Sequence, residues 1–117
     1  MCGISGFYSN SSSVSTNTIM KMNASIFHRG PDSNGFWTDK NFGIVLGHQR
    51  LSILDLSETG NQPMSSNSGQ FILTFNGEIY NHLNIREELK KNNFNISWKG
   101  KSDTETLLEA IDCWGIE

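Results

Sequence analysis

The chain has 117 residues, eleven of them glycine, with 36% hydrophobic and 18% charged side chains and a formal net charge of -3. That balance falls short of the charge excess that keeps a chain disordered, allows one domain with a modest core, and supplies no broad positive field for nucleic acid. No apolar run approaches the roughly 18 residues of a membrane helix, and no basic stretch followed by an apolar one opens the chain, so the reading is a cytoplasmic protein away from membranes.

In chain order, Gly3 to Tyr8 reads as a short strand whose glycines imply that another group approaches the backbone closely. Ile19, Met22, Ile26 and Phe27 keep helical spacing over 16–27, and Gly30-Pro31 stops that helix soon after. Segments 35–38 and 43–47 predict a hairpin turning at Asp39-Lys40-Asn41. A polar stretch over 55–69 is too long for a simple turn, and loops of that kind inside compact domains are often functional. The run from Phe71 to Phe75 predicts a strand buried on both faces, ending at Asn76-Gly77.

Residues 82–91 predict a helix with Ile85 and Leu89 inward and Arg86, Glu87, Glu88, Lys90 and Lys91 on a solvated face. A strand over 94–98 follows. Ser102-Asp103-Thr104-Glu105 then fits a capping box opening a helix that turns Leu107, Leu108, Ile111 and Trp114 to one side and ends at Gly115. Short strands among three helices make an α+β or α/β chain.

Chemistry concentrates at a few places. Cys2 directly follows the initiator Met1, and a small second residue permits removal of that methionine. The thiol then shares one residue with a free α-amine, whose reference pKa of about 7.7–8.0 lets it accept the thiol proton. Cys113 lies beside Ile111 and Trp114, so it reads as a small buried hydrophobe, and the two thiols stay unpaired in a reducing compartment. Asn76 offers a side-chain amide next to the backbone N–H of Gly77, a donor pair suited to a tetrahedral oxyanion, although Asn-Gly is also a common turn dipeptide. Arg50 could grip a carboxylate through two hydrogen bonds or form a surface ion pair. Glu78 and Asp103 could receive an ammonium, and Asp103 alternatively complements a helix N-terminus.

Other chemistries are set aside. His28, His48 and His82 lack the close spacing of metal ligands, and no metal site is expected. Gly100-Lys101-Ser102 resembles the tail of a phosphate loop, but Asn95 stands where the first glycine belongs. The sequons at Asn10, Asn23 and Asn95 read as chance matches.

Six stretches taken together, 1–6 (MCGISG), 28–32 (HRGPD), 48–55 (HQRLSILD), 62–64 (QPM), 76–81 (NGEIYN) and 102–105 (SDTE), resemble the N-terminal glutaminase domain of glutamine-hydrolysing asparagine synthetases. The resemblance implies a class II glutamine amidotransferase with a four-layer αββα N-terminal-nucleophile hydrolase sandwich, incomplete here. It implies that Cys2 attacks the glutamine amide, that Asn76 and Gly77 hold the oxyanion, and that Arg50 takes the α-carboxylate. Glu78 and Asp103 would meet the α-ammonium, and the backbone of Leu51, Ser52, Ile53 and Leu54 would line the pocket. Domains of this kind run to roughly 200 residues, an ordinary size for one domain. Residues 1–117 are therefore expected to be a partial domain whose partners are L-glutamine and a synthetase half, which alone would require ATP and magnesium. An uncovered sheet edge predicts association between copies. The alternative is a catalytically silent module that binds glutamine or a partner chain.

Overall fold

A computed structural model describes residues 1–10, 15–53 and 56–117. Their elements are β1 (Gly3–Tyr8), α1 (Thr16–Ser25), β2 (Ser33–Asp39), β3 (Ile44–Arg50), β4 (Met64–Ser65), β5 (Ile72–Leu73), α2 (His82–Lys91) and α3 (Asp103–Trp114), with 3₁₀ turns at Phe27–Arg29 and Glu58–Gly60. The arrangement is α+β, and the residues fall into two compact units. None of the described helices is long and apolar enough to cross a membrane.

The first unit comprises Met1–Ser52, Asn61–Pro63 and Thr74–Asn76. Its three strands form an antiparallel sheet in the order β1-β3-β2. The Asp39 carboxylate accepts the N–H groups of Asn41 (2.9 Å) and Phe42 (3.1 Å), an Asx turn that closes the β2–β3 hairpin where the sequence predicts it. Side chains alternate between faces of a strand, so Ser5, Val45 and Gly47 share the face covered by α1. Ile19 of α1 and Val45 of β3 are both fully buried, each worth about 1.5–3 kcal/mol of apolar burial. The helix lies close because Gly47 has no side chain: a Cβ there would collide with Asn23, Ser5 and Ile19. Gly3 fulfils the same expectation on β1, since a Cβ would stand 2.9 Å from Ile26 Cδ1.

Asn23, one of the three sequons, is buried and spent internally. Its Oδ1 accepts from Ser5 Oγ at 2.6 Å and its Nδ2 donates to the Gly35 carbonyl at 2.9 Å. The helix expected over 16–27 ends at Ser25, and Phe27, expected inward, is exposed because the chain turns into the 3₁₀ segment.

The second unit comprises Ile53–Gly60, Met64–Leu73 and Gly77–Glu117. Leu89 of α2 and Leu108 of α3 are its fully buried apolar anchors. Ser102 caps α3 by accepting the Glu105 N–H at 3.2 Å, but Glu105 does not close the reciprocal half of the box. Its carboxylate instead takes the N–H groups of Lys99 (2.7 Å) and Gly100 (2.9 Å). Arg86 joins α2 to the same place. It donates to Thr106 Oγ1 (2.7 Å) and to the carbonyls of Gly100 and Ser102 (3.0 Å each), lies 3.6 Å from Glu105 Oε2, and stacks 3.9 Å above the Trp98 ring. Arg86 is thus half-buried glue and departs from the solvated row expected of it.

Three further expectations are corrected. Phe94–Trp98 is extended, with Phe94, Ile96 and Trp98 half-buried, but no strand pairs with it among the described residues. Only Ile72–Leu73 of the 71–75 run is strand, bonded to β4 alone, so the run is half-buried rather than covered on both faces. Trp114 is 46% exposed and Cys113 half-buried, because α3 ends there.

The 66–70 turn is fastened to α3 by carboxylates. Glu109 Oε1 accepts the Asn67 N–H at 2.8 Å, and Asp112 accepts the Ser68 N–H (3.3 Å) and hydroxyl (2.8 Å). Burial pushes the Glu109 carboxyl above its ordinary value of 4.5; the Asn67 N–H opposes this, and Asp112 and Glu105 add to the rise. A carboxyl raised in this way binds its proton better folded than unfolded, so its contribution is fullest below 4.5 and is lost as pH rises through the raised value. Glu109→Gln keeps an acceptor without the charge, and thermal melts at pH 7 should show an equal or higher Tm. Glu109→Ala strands the Asn67 N–H and should cost about 1–3 kcal/mol.

Candidate active site

Cys2 sits just ahead of β1, and the pairing of Gly3 with Gln49 and of Ile4 with His48 sets it opposite the end of β3. Its half-buried thiol meets the Leu51 peptide from both sides: the Leu51 N–H points to Sγ at 3.3 Å and the Leu51 carbonyl lies 3.5 Å away. Met1 is 71% exposed. Residues two apart in extended chain share a face. Cys2 and Ile4 on one strand, with His48 and Arg50 on the next, therefore occupy the sheet face opposite α1. Here the register assembles what is far apart in sequence.

Arg50, which follows the 43–47 run predicted as strand, belongs to the strand itself, which extends to it. Its side chain is 7% exposed and donates from Nη1 to Asn61 Oδ1 at 2.9 Å, an oxygen that also receives the Ser33 hydroxyl at 3.0 Å. The Asp32 N–H donates to the Arg50 carbonyl at 3.0 Å, and Asp32 Oδ2 accepts the Ser52 N–H at 2.7 Å, so the Gly30-Pro31-Asp32 corner fixes the backbone leaving β3.

Asn76, exposed, also belongs to the first unit and follows Phe75, whose carbonyl is 3.3 Å from His48 Nε2. His48 pairs with Ile4, two residues from Cys2, so Phe75, the residue before Asn76, meets β3 close to the position of Cys2. The structure thus gathers Cys2, Arg50, Leu51, Ser52 and Asn76 in one unit. Ile53, Gly77, Glu78 and Asp103 fall in the second, and Leu54 lies outside the described residues.

Within the second unit Asp103 is buried, and each oxygen already serves the backbone: Oδ1 accepts the Thr104 N–H at 2.9 Å and Oδ2 the Ile79 N–H at 2.8 Å. Ile79 directly follows Glu78, so this bond ties the backbone just after Glu78 to the first turn of α3. Asp103 stands in the first turn of α3, where an acidic side chain complements the helix N-terminus, the structural alternative that the sequence offers for it.

His48 and Gln62 are the residues that sequence reasoning left without a role, although both stand in the quoted motifs. Their partner is a backbone group, and backbone partners leave no residue-type signal. Among the described residues no three His, Cys, Asp or Glu gather closely enough to hold a metal ion.

Comparison with known proteins bears on the whole chain. Residues 1–117 match the family model described as "Glutamine amidotransferase domain". A putative asparagine synthetase (glutamine-hydrolyzing) 2 of Methanocaldococcus jannaschii is 39% identical over 133 aligned residues, covering 100% of this chain and 25% of that protein. Asparagine synthetase (glutamine-hydrolyzing) 1 of Bacillus subtilis is 41% identical, covering 92% of this chain and 17% of its own length. A protein named amidase chry2 of Gibberella zeae is 37% identical over 78% of this chain and 13% of its own. The chain therefore spans a quarter or less of each of these relatives. A match that runs from the first residue to the last carries one conclusion: the chain belongs to the glutamine amidotransferase domain family, with proteins named glutamine-hydrolysing asparagine synthetases among its relatives.

Proposed function

We propose that the chain hydrolyses L-glutamine to glutamate and ammonia through a thioester on Cys2. The observation that carries this reading is the thiol held against the Leu51 peptide at the same sheet end as Arg50, in a chain matched along its length by an amidotransferase family. With Met1 removed, the Cys2 amine takes the proton from Sγ, and the thiolate adds to the side-chain carbonyl carbon. Asn76 Nδ2 and the Gly77 N–H donate to the oxyanion. Collapse breaks the C–N bond, the protonated amine gives its proton to the departing ammonia, and water then cleaves the thioester to glutamate.

Arg50 pairs with the substrate α-carboxylate in this scheme, Glu78 and Asp103 receive its ammonium, and the backbone of 51–53 lines the pocket. The fold is an αββα sandwich of the N-terminal-nucleophile type. By analogy with the named relatives, the ammonia serves ATP-dependent amidation of aspartate, or of a related carboxylate, by a synthetase portion to which ATP and magnesium belong. The cytoplasm is the setting. The test is to incubate the purified protein with L-glutamine, measure glutamate and ammonia, and record the N-terminal mass. Glutamate is expected from molecules that have lost Met1; if such molecules form none, the chain is a binding module and the enzyme reading falls.

A further inference from the structure

We infer that His48 and Gln62 are positioning residues that fix Asn76 by holding both backbone groups of Phe75, the residue before it; this rests on the glutaminase reading above. Asn76 needs such support because the strand that leads to it is short. β5 ends at Leu73, and Thr74–Asn76 has no ladder among the described residues. A donor aimed at a developing oxyanion works only if it is already in place, and an unladdered segment does not supply that by itself.

Two side chains stand in for the missing strand. Gln62 Oε1 accepts the Phe75 N–H at 2.6 Å, and His48 Nε2 meets the Phe75 carbonyl at 3.3 Å. Both are buried, His48 completely and Gln62 to 8% exposure. A carbonyl only accepts, so His48 must carry its proton on Nε2, which leaves Nδ1 as a lone pair with no hydrogen-bond partner, buried. An unpartnered buried nitrogen is a cost that a purely structural position would shed by becoming Leu or Phe. Burial also holds the imidazole below its ordinary range; the Phe75 bond opposes this and Arg50 adds to the lowering. His48 is therefore a neutral donor at neutral pH. Because it sits on β3 opposite Ile4, two residues from Cys2, it ties the position of the amide to the strand paired with the one that follows the nucleophile.

The test compares His48→Gln, which keeps a donor at similar reach, with His48→Leu and Gln62→Leu, which remove one hold each. In the full chain, His48→Leu should lower kcat for glutamine about 10–100-fold, part of the 10²–10³ that loss of an oxyanion donor itself brings. KM should stay within about threefold, because the substrate's α-groups are untouched, and His48→Gln should restore most of kcat. The separating measurement is binding of two probes, L-glutamate and glutamate γ-semialdehyde. The aldehyde takes up the Cys2 thiol: a C–S bond forms and the thiol proton ends on the former carbonyl oxygen, so its affinity reads the oxyanion site. Weaker aldehyde binding with unchanged glutamate binding supports the inference. Wild-type binding of both probes by a folded His48→Leu or Gln62→Leu protein overturns it. If His48→Leu does not fold, Gln62→Leu and His48→Gln decide by the same ratio. Failure of the unmutated protein to capture the aldehyde once Met1 is gone overturns the glutaminase reading and this inference together.

Discussion

Cys2→Ala is expected to abolish glutamate formation, with a loss on the order of 10⁴-fold or more, because the variant keeps the amine and the oxyanion donors but has no atom to form the thioester. Stability should barely move. The thiol is half-buried, and its hydrogen bonds among the described residues are the two long ones to the Leu51 peptide, so a small side chain there is an ordinary substitution within about 1 kcal/mol. The pair of measurements, glutamate release and a thermal melt, separates chemistry from folding. Cys2→Ser sharpens it further: the hydroxyl fits but is far less acidic than a thiol, and the rate should remain at least about 10²-fold down. Glutamate released by Cys2→Ala at the rate of the unaltered chain would remove Cys2 from the mechanism.

The largest effect on folding is expected at Arg86. Arg86→Leu strands the Gly100 carbonyl, takes one partner each from the Ser102 carbonyl and the Thr106 hydroxyl, which stay bonded to each other, and leaves the Glu105 carboxylate, 5% exposed, without its cation. Breaking a buried pair from one side costs about 3–5 kcal/mol, a large share of the roughly 5–15 kcal/mol by which a domain is stable. Denaturant titration should show that fall. Arg86→Lys keeps the charge but not the planar fork or its stacking on Trp98, so it should recover less than half. A fall below about 1 kcal/mol for Arg86→Leu would mean that the bonds are solvent-exposed decoration.

What the sequence made legible follows from how local each signal is. The bounds of β1 and α2 come out as expected because alternation and helical spacing are written in the residues themselves, and Ser102 caps α3 for the same reason. Phe94–Trp98 shows where this stops. The alternating burial is there, but a strand also needs a neighbour, and pairing is not a property of the segment. Glu105 does not complete its capping box because the Lys99 and Gly100 N–H groups take its carboxylate, and backbone donors outside the motif leave no mark in it. At the site, residue chemistry alone leaves Cys2, Arg50 and Asn76 as candidates beside blander readings, and the resemblance chooses among them. Their arrangement comes from a register that links residues 3 and 49. His48 and Gln62 stayed invisible because they act on a peptide group 27 and 13 residues away.

The protruding Met1 has a consequence for how the protein is born. While that residue is attached, the nitrogen of Cys2 is a peptide amide whose lone pair is delocalised into the carbonyl, so on the proposed mechanism the untrimmed form is inert. A single exposed residue then does the work of a propeptide. Specific activity becomes a census of trimmed molecules, and two preparations with identical folds can differ in rate by no more than the aminopeptidase they have met.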